Sequence, residues 1–156
     1  MQKNDSIAKQ FIIASNLPDH ITNDFLFRVI SMALEHMKWS PKGNISIAFV
    51  SKQKSQIINK QFASNDYPTD VLSFDYTKHK LESEFAGEIL ICSPIAKEQA
   101  IKYKVDFESE IALLLVHGLI HLSGLDHQNQ NQKASFEILQ SGILRSLDLK
   151  YHSMPW

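Results

Sequence analysis

Cysteine is nearly absent from this 156-residue chain: Cys92 stands alone, which excludes an internal disulfide and any multi-thiolate metal site. A reducing, cytoplasmic setting is the expectation. Long apolar runs are missing as well. The longest, residues 111–116, falls far short of the roughly 20 residues that cross a bilayer, and the first residues, MQKND, carry no apolar stretch of the kind that opens a secretory signal. No membrane partner is expected. Nor is there an excess of charge of one sign: 16 Lys+Arg against 17 Asp+Glu leave a formal charge of -1, so no global basic field marks a nucleic-acid binder. Glycine and proline, five of each, are too few to build a linker, and no repeat or low-complexity block appears. With 44% hydrophobic residues, the expectation is one domain over residues 1–156.

The patterning that is present alternates strands with helices. Residues 7–14 (IAKQFIIA) are rich in β-branched side chains and read as a strand that ends at Ser15-Asn16. Phe25, Val29, Met32, Ala33 and Met37 recur at helical spacing behind Thr22, a natural N-cap, and predict a helix over residues 23–38. Residues 45–50 (ISIAFV) alternate as a strand does, and Ser51 opens a polar helix to about residue 62. After the turn cluster 64–68, residues 71–76 and 88–92 read as two further strands. The charged stretch 78–84 (KHKLESE) between them reads as a solvated loop. Ser93 as hydroxyl cap with Pro94 behind it predicts a helix to about residue 103. Asp106 then caps a helix whose residues 111–116 are apolar on every side, which implies burial all round. A last helix is expected over residues 132–147. The layout is mixed, a few strands with helices packed over the sheet.

The chemistry concentrates in HGLIHLSGLDH, residues 117–127. On a helix, His117 and His121 are i and i+4, with Cβ atoms about 5–6 Å apart, a spacing from which two imidazoles converge on one ion at roughly 2.0–2.1 Å. Gly124 can take the left-handed conformation that ends the helix and lets His127 return to the same point. A single buried histidine is ordinarily a hydrogen-bonded core residue. Three in this register are another matter: with seven histidines in the chain, random placement produces the triple only roughly 0.014 times. Three neutral imidazoles favour Zn²⁺, with Ni²⁺ or Cu²⁺ as alternatives, and leave a coordination position for water or substrate. His20, His36, His79 and His152 share no such spacing and read as surface or capping residues.

The same spacing occurs in metzincin peptidases, which place a glutamate after the first histidine as general base. Here that position is Gly118, which has no proton acceptor. A glycine inside a helix costs about 1 kcal/mol relative to alanine, so a close approach by a neighbouring backbone or a substrate is expected there. Without that glutamate the metal has to supply most of the activation. Asp126, beside the third histidine, can orient an imidazole, act as a weak base or simply stabilise an Asx turn.

Two segments together resemble the YbeY family of bacterial rRNA maturation factors: HGLIHLSGLDH, and Pro68-Thr69-Asp70-Val71-Leu72-Ser73-Phe74, with Gly87-Glu88-Ile89 as a weaker third. The resemblance covers most of the chain from about residue 45 onward. It implies an α+β, zincin-like fold with a mixed sheet of about four strands. It also implies a divalent metal on the three histidines and a single-strand endoribonuclease. The implied substrate is small-subunit rRNA, cut in 16S 3′-end maturation and ribosome quality control, with the ribosomal small subunit as a partner. The chain departs from the family pattern where an arginine and a lysine usually stand, at Ala63 and Asn65. Cations there would offset charge that builds during phosphodiester cleavage. Lys60, one turn earlier, reaches part of the same space but cannot reproduce a bidentate guanidinium contact, and a solvated lysine is the plainer reading. The departure leaves a second expectation open, a non-catalytic ribosome-assembly factor stabilised by its metal. A further departure, Asp75 where the family has proline, reads as a tolerated surface change.

Overall fold

The computed structural model describes residues 2–78 and 84–155. The stretch read as a solvated loop, 78–84, and with it His79, lies mostly outside them. The elements run α1 (Gln2–Gln10), β1 (Phe11–Ile13), α2 (Asn23–Met37), β2 (Asn44–Val50), α3 (Lys52–Ala63), β3 (Val71–Asp75), a 3-10 turn (Tyr76–Lys78), β4 (Phe85–Cys92), α4 (Ser93–Tyr103), α5 (Phe107–Leu122) and α6 (Gln130–Ser146). The sheet order is β1-β2-β4-β3. The first three strands are parallel, and β3 closes the edge antiparallel to β4, with Ser73 opposite Ile89. This is the α+β architecture with a four-stranded mixed sheet that the sequence led us to expect.

One side of β2 points Ile45, Ile47 and Phe49 into the core, while Ser46, Ala48 and Val50 remain half-buried, as period-two alternation requires. On that core α5 lies as the central helix. From Ser109 to Ile120 every residue of it is buried, because α2, α4 and α6 cover the sides that the sheet does not. Gly118 is what lets α5 approach β4. A Cβ built there would stand 3.0 Å from Ile89 Cγ2 and 3.2 Å from Ile89 Cδ1. The close neighbour is thus a core side chain rather than backbone or substrate.

The caps account for most boundaries. Thr22 and Ser51 accept from the backbone N–H of Phe25 and Lys54, each at 3.1 Å. Asn129 and Gln132 form a reciprocal capping box, which starts α6 two residues before the expected 132. Ser93 is not a cap: β4 runs straight into α4, Cys92 takes the N-cap position, and Ser93 and Pro94 are already helical. Asp106 occupies the N-cap position of α5 without a side-chain bond.

The strand expected over residues 7–14 is corrected to a helix followed by three strand residues. Only Phe11-Ile12-Ile13 is an unbroken run of strand formers. Ile7 instead reaches the core from a helix whose Ser6, Ala8 and Lys9 face solvent. Gln10 Nε2 donates to Pro41 O at 2.7 Å and to Gly43 O at 3.2 Å, holding the end of α1 where the chain enters the sheet. In the interior of the sheet β4 begins at Phe85, three residues before the expected start. No helix among the described residues is long and apolar enough to cross a membrane.

His152, read from sequence as a surface group, is an internal tie. Its Nε2 meets Glu110 Oε2 at 2.7 Å, its ring stacks on Tyr103 at 3.8 Å, and its Nδ1 donates to Ser153 O at 3.0 Å. Burial of Glu110 in α5 raises its carboxyl above the ordinary carboxylate range, with His152 pulling the other way. A raised folded-state value means that the folded chain binds this proton more tightly than the unfolded one. The stabilisation is therefore complete below 4.5, the unfolded value, and is lost as pH climbs through the folded value. His117 and His121, whose values burial lowers, contribute the opposite slope over the acidic range. The test is therefore a difference between two series of urea melts: Glu110→Gln, which keeps the shape and removes the titration, should make stability fall less, or rise more, with pH than in the native chain across that window. An unchanged slope in the variant would contradict the assignment.

Candidate metal centre

The last two turns of α5 carry His117 and His121 on one face. The chain then reverses at Gly124, whose φ of +100° a side chain would strain. Gly124 N–H bonds His121 O at 3.0 Å to close the helix. Asp126 next fixes the returning residue: its Oδ1 accepts from His127 N at 2.7 Å and its Oδ2 from Gln128 Nε2 at 2.8 Å. The His127 N–H is the main reason that the Asp126 carboxyl lies below its ordinary value. Both of its oxygens are engaged, so in this arrangement the carboxylate holds the turn.

These constraints bring three Nε2 atoms together. His121 Nε2 stands 3.1 Å from His117 Nε2 and 3.1 Å from His127 Nε2, and the three candidate ligand atoms all fall within 4.8 Å of one another. Two nitrogens sharing a tetrahedral ion at 2.0–2.1 Å are roughly 3.3 Å apart. The group can hold a metal ion, and the protonation of the rings agrees. Gln140 Oε1 accepts from His117 Nδ1 at 3.1 Å, which leaves Nε2 of that ring as a lone pair aimed at the cluster. Burial, then the neighbouring His121, push His117 down to about 3; burial, then His127, also lower His121. Both rings are neutral at physiological pH, as ligands must be. Beneath them lies the buried ring of Phe136, with its centroid 4.8, 5.0 and 5.2 Å from those of His117, His121 and His127.

Position 118 bears on the peptidase alternative. A Cβ there would meet Ile89 at 3.0–3.3 Å, so a glutamate at 118 would require Ile89 to shift, and the glycine present supplies no base.

Matching the chain against known families finds the model described as endoribonuclease YbeY over residues 14–148. The chain belongs to the YbeY family. It is 37% identical to the endoribonuclease YbeY of Staphylococcus epidermidis over 113 residues, covering 67% of this chain and 73% of that one. With the endoribonuclease YbeY of Alkaliphilus oremlandii it shares 33% over 134 residues, covering 81% and 89%. Among solved structures, the solution structure of TM1509 from Thermotoga maritima superposes with a TM-score of 0.58 at 26% identity, covering 88% of each chain.

The first half of the second YbeY-like segment, Pro68 to Val71, is scaffolding. Ser55 Oγ in α3 accepts from Thr69 N at 2.9 Å and donates to Thr69 O at 2.7 Å, and Asn59 Nδ2 donates to Tyr67 O at 2.8 Å. Asp70 Oδ1 takes the N–H of Val71 at 2.7 Å while its Oδ2 takes Gln99 Nε2 from α4 at 3.1 Å. The turn thus ties α3 and α4 to the start of β3, which then passes beside α5. At the two positions where the resemblance led us to expect cations, Ala63 and Asn65 are exposed. Lys60 is also on the surface and pairs with Asp66 Oδ2 at 3.1 Å.

Gln140 and Phe136 were missed by sequence reading. A signal was present: Phe136, Gln140, Ile143 and Leu144 share one buried face of α6, and a glutamine in an apolar stripe needs a buried partner.

Proposed function

We propose that this chain is a zinc-dependent, single-strand endoribonuclease of the cytoplasm. Its substrate is small-subunit rRNA, which it processes at the 16S 3′ end and in ribosome quality control in contact with the small subunit. Family membership supports the nuclease and rRNA part of this reading. The observation that carries the metal is the convergence of His117, His121 and His127 through Nε2. A divalent cation held by those atoms supplies Lewis acidity, lowering the pKa of a water and offsetting charge on phosphate oxygens.

The chain's own residues do the rest. His117 is held in one tautomer by Gln140, the turn at Asp126 aims His127, and Phe136 keeps water from the inner side of the cluster. The bond from His117 Nδ1 to Gln140 keeps the Nε2 lone pair of that ring directed at the cluster. His121 and His127, only half-buried, leave the outer side for RNA.

Protein loaded with zinc should cut a labelled single-stranded RNA and spare its duplex form. Loss of cutting on chelation and its return with zinc support the reading, and cutting indifferent to chelation contradicts it. Gln140→Leu keeps the volume but strips His117 Nδ1 of its acceptor. Zinc affinity, read by competition with a chromophoric chelator, should fall about 10–100-fold.

A second reading, a metal-stabilised assembly factor without catalysis, is favoured by one observation: neither 63 nor 65 is cationic, and Lys60 is engaged by Asp66. Ala63→Arg separates the two. A large gain in cleavage at constant RNA affinity favours the enzyme, and no gain favours the binding protein.

A further inference from the structure

Beside His121 the surface opens into a cleft of about 440 Å³ lined by Phe62, Phe74, Tyr76, Lys78 and Asp75. Three of its lining residues are aromatic. Phe62, at the end of the polar helix α3, is 64% exposed. Its ring meets Phe74 of β3 edge-on, with centroids 5.3 Å apart at 67°, so it is held in place while a face remains open to solvent. Tyr76 is fixed at the back by its hydroxyl, which donates to Glu88 Oε2 at 2.8 Å. Among the described residues, Lys78 is the cation that lines the cleft, and it faces the Asp75 carboxylate that also lines it. Its Nζ forms a long ion pair with Asp75 Oδ2 at 3.9 Å and stays largely solvent-exposed, so a phosphate can compete for it, while Asp75 Oδ1 accepts from Thr77 N at 3.0 Å.

An aromatic face with one cation beside it and a metal-ligand cluster at its inner end matches the repeating chemistry of an unpaired nucleotide: a flat π-system followed by a phosphate. A duplex keeps its bases stacked on one another and cannot offer one, so such a seat takes single strands only. The occupant follows from continuity with the histidine cluster, which His121 shares with the cleft.

We propose that the cleft beside His121 seats one unpaired base of the RNA, stacked on Phe62 against Phe74, with Lys78 on the adjoining phosphate. The inference rests on the nuclease reading above and adds the residues that position its substrate. Phe62 and Lys78 are positioning residues and touch no reacting atom.

The test is fluorescence anisotropy with metal-loaded protein and a fluorescein-labelled, 2′-O-methylated single strand of about 12 nucleotides, its integrity confirmed on a gel. Phe62→Ala should weaken binding about 10-fold with the salt dependence unchanged, and Phe62→Trp should restore it, since base stacking on an aromatic side chain is sequence-tolerant and not ionic. Lys78→Ala should weaken binding and lower the slope of log K against log salt by about 0.7. A single abasic nucleotide walked along the strand should cost the native protein affinity at one position, and Phe62→Ala should erase that position. Native affinity in Phe62→Ala, or an undiminished abasic effect in it, overturns the base seat while the nuclease reading stands if RNA is still cut. Native protein that neither binds nor cuts RNA overturns both.

Discussion

His121→Ala is expected to lower RNA cleavage by at least about 10³-fold and to leave purified protein without stoichiometric metal. The size follows from the position of the ring. His121 is the middle member of the cluster, with its Nε2 3.1 Å from each of the other two, so its loss leaves two nitrogens that no third atom joins. Cooperative folding should survive, because the ring is only half-buried and α5 keeps its packing on the sheet. Circular dichroism and a single melting transition check the fold, and a discontinuous RNA assay with added zinc checks the activity. RNA cleavage at native rates in the folded, metal-free variant would remove the metal from the mechanism.

Phe136→Ala should be the most destabilising single change near the site, at about 3–5 kcal/mol. The ring is 1% exposed and belongs to the main core while touching all three histidines, so alanine leaves a cavity at the α5–α6 contact. For a chain of this size that corresponds to a fall in melting temperature on the order of 10 °C. Zinc should recover part of it, since a ligand that binds only the folded state stabilises by mass action. Phe136→Leu, which fills most of the volume, should lose much less. A shift of one or two degrees in Phe136→Ala would mean that α6 does not seal the cluster.

The elements with strong local signals were readable in advance. Thr22 and Ser51 cap as their chemistry predicts, the alternation of 45–50 gives β2, and the all-round apolar character of 111–116 announces the buried α5. The histidine cluster was legible for the same reason: its geometry depends on a helix turn and a glycine reversal within eleven residues. Contacts that skip across the chain were not legible. Gln140 reaches His117 from another helix, 23 residues away, and no local pattern says which buried group a buried glutamine will meet. Residues 7–14 failed because a β-branched run and the buried face of a short helix look alike at that length. Gln10, tied to the loop before β2 by a contact over 31 residues, marks where the helix gives way to the strand. Strand order escaped reading as well, since β2 pairs with β4 past the intervening β3.

Metal analysis of the purified protein combined with X-ray absorption at the zinc edge is the most direct test. One zinc per chain, with three imidazole nitrogens and one lighter ligand at about 2.0–2.1 Å, is the predicted result. A chain that folds, cuts RNA and carries no metal, or a zinc bound by fewer than three imidazoles, would contradict it.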